Sequence, residues 1–401
     1  MGDLDAAIVL IPLLAVLAPL AARAVGRWVR VPIVVFELLL GIVVGPSVLG
    51  LAGTSAFVDL LSEFGLAMLF FVAGTELQFT ALRGRTGRRA IAGWVLSLAV
   101  GTALGILVAP PGEPAGAIVV GIALSSTALG TLLPILRDAG EMRTPFGKAV
   151  GAIGAVGEFA PLIAISVLLG SRSPGVATIV LAAFLLVTAG AVWYAMRVPQ
   201  GALHRFVNAT LHTSGQFAMR VVMLILAALV GLSVVLDLDM LLGAFAAGVI
   251  WRLLMRDADA AARDAVESKV EAVAFGFLVP IFFIYTGISF DLEALLADPV
   301  LLALVPLGLV LLLVVRGLPS MLAAPVGATP RTRWATALMG ATGLPIIVAV
   351  TAIGVDHKLL GSGAAAALVG AGMLSVLILP SVAMALRGDD VTTPALRDEE
   401  T

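Results

Sequence analysis

Apolar segments long enough to cross a lipid bilayer recur along nearly the whole of this 401-residue chain. Hydrophobic residues make up 60% of the sequence and charged residues 12%, which is more apolar surface than one water-soluble core can bury. A helix crosses the hydrocarbon region with roughly 18–25 residues, so the pattern predicts an all-α polytopic membrane protein with about 13 transmembrane helices. The predicted spans are residues 6–22, 32–50, 59–78, 90–110, 116–136, 149–170, 176–196, 217–236, 239–255, 272–289, 299–324, 333–354 and 362–386.

The basic residues indicate how these spans are oriented. All but three of the 24 lysines and arginines fall in alternate loops, or at adjoining span ends, on one side of the membrane. The exceptions are Arg172 and Lys358 on the other side and Arg316 inside the eleventh span. Because cytoplasmic loops are enriched in basic residues, the N-terminus is predicted outside and the C-terminus inside, in the cell (inner or plasma) membrane.

The chain divides, on composition, into a long apolar part and a short polar end. Residues 1–387 form the expected transmembrane domain. Residues 388–401 are rich in acidic and poor in apolar side chains, and are expected to form a short disordered cytoplasmic tail.

Several classes of function leave no sign in the sequence. The chain has no cysteine, which excludes disulfides and thiolate metal sites. It has no glycine-rich phosphate loop, no zinc-type His/Glu pair and no nucleophile elbow. The sequence therefore predicts that the protein is not an enzyme, uses no cofactor and does not bind nucleic acid.

One carboxylic acid, Glu158, lies near the middle of the sixth predicted span. An ionisable side chain at the bilayer centre costs roughly 2.5–3.5 kcal/mol on insertion scales, so it usually marks an ion or proton site. The alternative is a structural carboxylate that is permanently paired with a basic residue.

Two spans contain glycine and hydroxyl clusters near their middles. The first cluster, residues 121–131, is in the fifth span, and the second, residues 339–345, is in the twelfth. Both segments are predicted to be locally unwound, and paired breaks of this kind indicate a transporter binding site. The alternative is that small residues there only allow helices to pack closely.

The placement of the two clusters predicts an internal repeat. If spans 1–6 and 8–13 are two six-helix repeats joined by span 7, the fifth and twelfth spans occupy equivalent places. Because the offset of seven spans is odd, the two repeats would be inverted in the membrane, as in many secondary transporters.

Five segments of the chain form a recognisable series by their order and spacing. They are Phe36–Gly50 (FELLLGIVVGPSVLG), Leu69–Leu77 (LFFVAGTEL), Ala123–Ala128 (ALSSTA), Leu242–Gly248 (LGAFAAG) and Phe277–Ile288 (FLVPIFFIYTGI). In these segments the chain resembles the Kef-type and sodium/proton exchanger superfamily of monovalent cation:proton antiporters. The resemblance implies a core domain with two crossed discontinuous helices that moves against a scaffold, and the scaffold forms a homodimer interface.

The resemblance also implies where the ion binds. In this superfamily two adjacent polar residues in the sixth span, the second an aspartate, form the ion site. Here the pair is Gly157 and Glu158, so the carboxylate is kept and lengthened while the first position has no side chain. A basic residue in the span that contains Arg316 often interacts with that carboxylate, which makes Arg316 the expected charge partner. Its alternative role is to snorkel towards an aqueous interface.

Oxygen atoms near Glu158 complete the predicted site. A monovalent cation needs oxygen ligands, and hydroxyls or free carbonyls of an unwound helix can supply them beside the carboxylate. The secondary candidates for such ligands are Ser125, Ser126, Thr127 and Thr342. Glu37 and Glu76 also lie within spans, and they are expected to line an inner entrance or to bind backbone amides.

The leading hypothesis is a secondary active antiporter that exchanges Na⁺ or K⁺ for H⁺, with Glu158 as the shared proton and cation site. One alternative keeps the fold and changes the cargo to an organic anion or metabolite, because Gly157 would leave extra space beside Glu158. The other is a non-transporting membrane sensor or scaffold, in which Glu158 and Arg316 form a fixed ion pair.

Overall fold

The computed structural model describes residues 2–25, 32–77, 82, 84–108, 114–169, 173–197, 217–256 and 260–388. Within these ranges the ordered elements are helices and no residue lies in a strand. In chain order they are α1 (Gly2–Val25), α2 (Ile33–Val44), α3 (Ala56–Glu76), α4 (Gly84–Val108), α5 (Pro114–Ser125), α6 (Leu129–Asp138), α7 (Pro145–Leu168), α8 (Pro174–Arg197), α9 (Phe217–Val235), α10 (Met240–Leu254), α11 (Ala260–Val273), α12 (Val279–Ile288), α13 (Leu292–Ala297), α14 (Pro299–Leu312), α15 (Leu318–Ser320), α16 (Pro330–Gly340), α17 (Pro345–Asp356) and α18 (Ser362–Gly388).

Three short elements interrupt or extend these helices. A π-helical turn, Ala274–Leu278, joins α11 to α12, and a second, Leu313–Gly317, joins α14 to α15. A 3₁₀ turn, Met321–Ala323, follows α15. The chain from Pro299 to Ala323 therefore continues as one helical rod.

Ten helical stretches in the described residues are long and apolar enough to cross a membrane. They are Ala7–Val25, Ala56–Glu76, Gly84–Leu107, Ala115–Arg137, Pro145–Leu168, Phe217–Val235, Arg263–Ile288, Pro299–Ala323, Pro330–Asp356 and Ser362–Arg387. Three shorter apolar helices, Ile33–Val44, Pro174–Gly190 and Met240–Leu254, lie at the remaining predicted spans. The all-helical membrane fold is confirmed, whereas the number of crossings stays a prediction. Of the predicted tail, residues 388–401, Gly388 is the last residue of α18, and residues 389–401 lie outside the described residues.

The chain forms two compact units. The first contains Met1–Ala24, Ile33–Leu77 and Leu162–Phe290, and the second contains Val25–Pro32, Gln78–Pro161 and Asp291–Thr401. Both predicted helix breaks, and all the residues proposed as ion ligands, belong to the second unit.

Helices of the first unit approach one another closely at pairs of glycines. A Cβ added at Gly41 of α2 would lie 2.9 Å from the Cα of Gly287 in α12. One added at Gly74 of α3 would lie 3.1 Å from the Cα of Gly248 in α10. The first distance is shorter than real Cβ contacts and the second is shorter than most of them. A Cβ at any of these four positions would also overlap a backbone carbonyl oxygen of the facing helix, so a side chain there would force the helices apart.

Short polar side chains fix where several helices begin. Ser55 accepts a hydrogen bond from the backbone N–H of Val58 at the start of α3. Asp239 does the same for Leu241 at the start of α10. Such caps satisfy N–H groups that have no partner inside the helix.

The second unit repeats one order of elements. A long helix, a broken helix and a long helix follow each other as α4, α5–α6 and α7, and then as α14–α15, α16–α17 and α18. This order is what an internal repeat would produce. The inverted relation of two repeats stays a prediction.

Two groups of contacts mark the ends of the second unit. At one end, the guanidinium of Arg387 in α18 binds Glu141, which lies between α6 and α7, with an N–O distance of 2.9 Å. The same guanidinium donates to the hydroxyl of Thr332 in α16. At the other end, the hydroxyl of Ser362 donates to the carboxylate of Asp291. Helix α18, which begins at Ser362 and has Arg387 in its last turn, is therefore held by polar contacts at both of its ends.

Substituting Gly248 by alanine tests the close packing of the first unit. We expect Gly248→Ala to lower the thermal denaturation midpoint in detergent, because overpacking typically costs about 1–3 kcal/mol. Gly231→Ala, at an exposed position of α9 with nothing within 4 Å, is the matched control. It should leave the midpoint unchanged or raise it slightly, since alanine favours helix. Equal midpoints for the two variants would contradict the packing argument.

Candidate ion-binding site at two broken helices

Both predicted breaks are present and buried. The helical hydrogen bonding stops at Ser126–Ala128 between α5 and α6, and at Ala341–Leu344 between α16 and α17. Thr127 and Thr342 are 0% exposed. Pro345 begins α17, where its missing N–H costs nothing and its ring disfavours a helical conformation at the residue before it.

The two breaks satisfy each other's backbone groups. The N–H of Ala128 donates to the carbonyl of Thr342 at 2.8 Å. The hydroxyl of Thr127 donates to the carbonyl of Gly340 at 2.6 Å. Irregular backbone at membrane depth is tolerated only where such groups are paired within the protein or line a cavity. The sequence prediction of paired unwound segments is therefore confirmed.

Helix α7 contacts the first break through Gly157, the residue before Glu158. In a regular helix the carbonyl of Gly157 would accept from the N–H of residue 161, but Pro161 has none. The N–H of Thr127 donates to this carbonyl instead, at 3.0 Å. Glu158 is 5% exposed, and this bond ties its helix to the first break.

Arg316 links three segments of the second unit. Its side chain is 0% exposed and lies in the π-helical turn Leu313–Gly317. Nε donates to the hydroxyl of Thr127 at 2.8 Å, and Nη2 donates to the carbonyl of Ile153 in α7 at 2.9 Å. Snorkelling towards an aqueous interface is therefore wrong, because the guanidinium is fully buried and bound to two groups inside the unit.

Gly157 has no space for a side chain. A Cβ added there would lie 2.6 Å from both Cβ and Oγ1 of Thr127 and 2.7 Å from Nη2 of Arg316. The expectation of extra space beside Glu158 is therefore wrong. Thr127 and Arg316 fill the volume that the first polar residue of the superfamily pair would need.

The other three hydroxyl candidates are buried in the second unit. The hydroxyls of Ser125, Ser126 and Thr342 donate to carbonyls in the helical turn before each of them, those of Ile122, Ala123 and Leu338 respectively. A hydroxyl that donates its hydrogen keeps lone pairs, so each oxygen can still accept a hydrogen bond or bind a cation. Thr127 differs, since its oxygen already accepts from Arg316.

A buried serine that was not among the sequence candidates lies beside the second break. Ser375 in α18 is 0% exposed. Its hydroxyl lies 3.1 Å from both the N–H and the carbonyl oxygen of Gly343, and donates to the carbonyl of Gly372 at 2.7 Å. Ser375 therefore supports the second break. One hydroxyl in a long apolar helix gives no sequence signal for such a role.

Glu37 and Glu76 belong to the first unit, whereas the two helix breaks belong to the second. Glu37 is buried within α2, and Glu76 is the half-buried last residue of α3. Their role at an inner entrance stays a prediction.

A partly buried ion pair anchors the helix that contains Glu158. Glu141 is 3% exposed and accepts hydrogen bonds from both Nε and Nη2 of Arg387. Its second oxygen accepts from the hydroxyl of Thr144, just before α7 begins. The guanidinium also lies 4.9 Å from the ring centroid of Phe146. These contacts hold the first turn of α7 against the end of α18.

Adding one methyl group at Gly157 tests the packing around Arg316. We expect Gly157→Ala to displace Arg316 or Thr127 and to lower the thermal midpoint by a few degrees, as overpacking by about 1–3 kcal/mol would. Gly151→Ala, in the same helix with nothing within 4 Å, is the control and should be neutral or stabilising. If Gly157→Ala were as stable as Gly151→Ala, the guanidinium would not lie against Gly157.

Comparison with known proteins gives consistent matches over most of the chain. A family model described as sodium/hydrogen exchanger, transmembrane, matches residues 13–386. YjbQ of Bacillus subtilis (strain 168), whose name describes it provisionally as a Na⁺/H⁺ antiporter, is 26% identical over 94% of this chain. The match covers 62% of YjbQ, so the chain spans less than two thirds of that relative.

Two further matches have names that state an activity. The Na⁺/H⁺-K⁺ antiporter GerN of Bacillus cereus is 28% identical, with 65% of this chain and 66% of GerN covered. The structure of the sodium proton antiporter MjNhaP1 from Methanocaldococcus jannaschii at pH 8 superposes with a TM-score of 0.65. The identity is 16%, with 96% of this chain and 100% of that chain covered, so this match shows the fold.

Proposed function

The chain belongs to the sodium/hydrogen exchanger family, and on that premise we propose that it is a secondary active antiporter exchanging a monovalent cation, Na⁺ or K⁺, for H⁺. The observation that supports this most is the pair of broken helices whose breaks bind each other beside Gly157–Glu158, with Arg316 buried against Gly157. The names of YjbQ and GerN, which include Na⁺/H⁺ exchange, point to the same activity.

Glu158 is the proposed shared site. Its carboxylate binds either a proton or a cation, and this competition couples the two fluxes if only the loaded protein changes its access from one side to the other. An ionised carboxylate with no bound charge is costly at membrane depth. The proton-loaded and cation-loaded forms therefore change their access from one side to the other more readily than the empty form, which is what coupled exchange by alternating access requires.

The oxygen ligands proposed for the cation come from the two breaks. Ser125, Ser126 and Thr342 have hydroxyl oxygens that can still accept, and the unwound segments add backbone carbonyls. In the described residues no three His, Cys, Asp or Glu side chains cluster as metal ligands. One carboxylate with neutral oxygens suits a hard, singly charged cation.

Thr127 and Arg316 are proposed to organise this site. Arginine keeps its proton, so Arg316 is not the carrier of transported H⁺. Its positive charge, held by Thr127 and Ile153, supports the ionised form of Glu158 between the release of a proton and the binding of a cation. Arg316 is therefore our proposed charge partner for Glu158.

The proposed setting is a homodimer in the cell (inner or plasma) membrane. The asymmetry of basic residues supports an N-terminus outside and a C-terminus in the cytoplasm. We assign residues 1–387 to the transmembrane domain and 388–401 to a cytoplasmic tail. The first unit would be the scaffold that dimerises, and the second unit the core that carries Glu158.

Flux measurements on a charge-neutral variant test this function. The protein is reconstituted in liposomes that contain a pH dye, and Na⁺, K⁺ or Li⁺ is added at several pH values. We expect cation-driven proton movement in the wild type and its loss in Glu158→Gln, because an amide binds no transported proton. Glu293→Gln, an exposed position at the start of α13 in the same unit, is the control and should keep full exchange.

Two other results would each favour an alternative. If the wild type and Glu158→Gln were equally silent although both were folded, the protein would be a sensor or scaffold with a fixed ion pair. If organic anions, but not Na⁺, K⁺ or Li⁺, stabilised the protein against heat, the cargo would be a metabolite. The packed surroundings of Gly157 already remove the space on which that second reading depended.

A further inference from the structure

A groove with arginines at one end lies in the second unit, where α4 and α16 begin. A cavity of about 320 Å³ is lined by Arg85, Arg89, Leu322 and Arg333, among others. A second cavity, of about 410 Å³, shares Met321 and Arg333 with it and adds Leu318 and Trp334. We call these two neighbouring cavities together the arginine groove.

Three positive charges converge in this groove. Arg85 and Arg89 are one turn apart on α4, so they lie on the same face of the helix. Arg333 comes from the first turn of α16. Within the part of the chain that the structure describes, none of the three has an acidic partner, and no aspartate or glutamate lines either cavity. A bound anion would relieve their mutual repulsion.

The rest of the groove is apolar and exposed. Leu318 is 41% exposed, Leu322 47%, Val326 81% and Trp334 46%. Leu318 and Leu322 follow the buried Arg316 along one helical rod, so the apolar wall extends from the membrane interior towards the arginines. Tryptophan is enriched where a helix meets the lipid headgroups. The cavity lined by all three arginines is therefore the charged end of the groove, and the cavity lined by Leu318 and Trp334, with Arg333 as its one charged residue, is the more apolar end. This division matches the headgroup and acyl chain of a phospholipid.

We propose that the arginine groove binds one anionic phospholipid, with its phosphate on Arg85, Arg89 and Arg333 and an acyl chain along Leu318, Leu322 and Trp334. A free phosphate ion would use only the charged end. A zwitterionic lipid would bring a cationic headgroup beside three arginines. The arginines lie in the first turns of helices on the side predicted to be cytoplasmic, where bilayer lipids are anionic. The inference does not depend on which ion the protein carries.

The proposed lipid would contact two elements that also build the ion site. The helical rod lined by Leu318 and Leu322 contains Arg316, and α16 leads directly to Gly340 and the second break. A lipid that bridges α4, this rod and α16 should therefore stabilise the whole second unit against heat.

Thermal denaturation with defined lipids tests the proposal. Detergent-solubilised protein is titrated with dioleoyl phosphatidylglycerol or dioleoyl phosphatidylcholine, and bound lipid is counted by native mass spectrometry. We expect phosphatidylglycerol to stabilise the protein saturably and to be retained as one bound lipid, and phosphatidylcholine to do neither. Each arginine near an anionic lipid surface contributes enough that Arg89→Gln or Arg333→Gln should raise the half-saturating lipid concentration about fivefold.

Arg88→Gln is the matched control. Arg88 lies between Arg85 and Arg89 on α4 and is exposed, but it does not line the groove. The control changes the net charge by the same amount, so it should leave the half-saturating concentration unchanged. Midpoints measured without lipid should be equal for all three variants, since Arg88 and Arg333 are exposed and Arg89 is only half-buried.

Any of three results would overturn the proposal. If Arg88→Gln weakened binding as much as Arg89→Gln, the lipid would be held by diffuse surface charge. If inorganic phosphate stabilised the protein as much as phosphatidylglycerol, the apolar end of the groove would not be occupied. If phosphatidylglycerol gave neither stabilisation nor a retained lipid, the groove would not be a lipid site.

Discussion

Thr127 makes three hydrogen bonds, and each one reaches a different part of the second unit. Its N–H donates to Gly157 in α7, its hydroxyl donates to Gly340 at the end of α16, and its oxygen accepts from Arg316. The arrangement needs a break in α5–α6, because only an unwound residue has a free N–H and a hydroxyl directed at two other helices. It also needs Pro161, which leaves the carbonyl of Gly157 without a donor in its own helix. The arrangement of the proposed site at Glu158 therefore depends on the contacts of Thr127.

A buried guanidinium is costly unless its surroundings supply hydrogen bonds, so Arg316 constrains everything packed around it. Thr127 and Ile153 supply two of these bonds, and Gly157 provides the volume. The absence of a side chain at Gly157 is therefore linked to the position of Arg316. In the proposed mechanism, the family's first polar residue is replaced by a fixed positive charge beside the carboxylate, and one carboxylate remains to exchange proton and cation.

The sequence predicted the helical membrane fold and both breaks, because bilayer thickness fixes segment length and glycine, serine and proline weaken helices locally. It did not predict which backbone groups Thr127 binds, since those depend on distances between helices far apart in the chain. Four of the five segments that resemble the antiporter superfamily also contain sites of close helix packing, which the sequence did not predict. Gly41, Gly74, Gly248 and Gly287 lie within them, and all four are positions where helices of the first unit meet too closely for a side chain. The Glu141–Arg387 pair and Ser375 gave no periodic or spacing signal, and only the structure shows them.

The central claim is that a proton and a cation compete for Glu158. Isothermal titration calorimetry of the purified protein measures this most directly, with Na⁺ or K⁺ injected in two buffers that differ in ionisation enthalpy. The account predicts that cation binding releases up to about one proton, most at pH values where the free site is protonated, and that Glu158→Gln abolishes the release. Cation binding of unchanged affinity with no proton release at any pH, or the same release in Glu158→Gln, would contradict it.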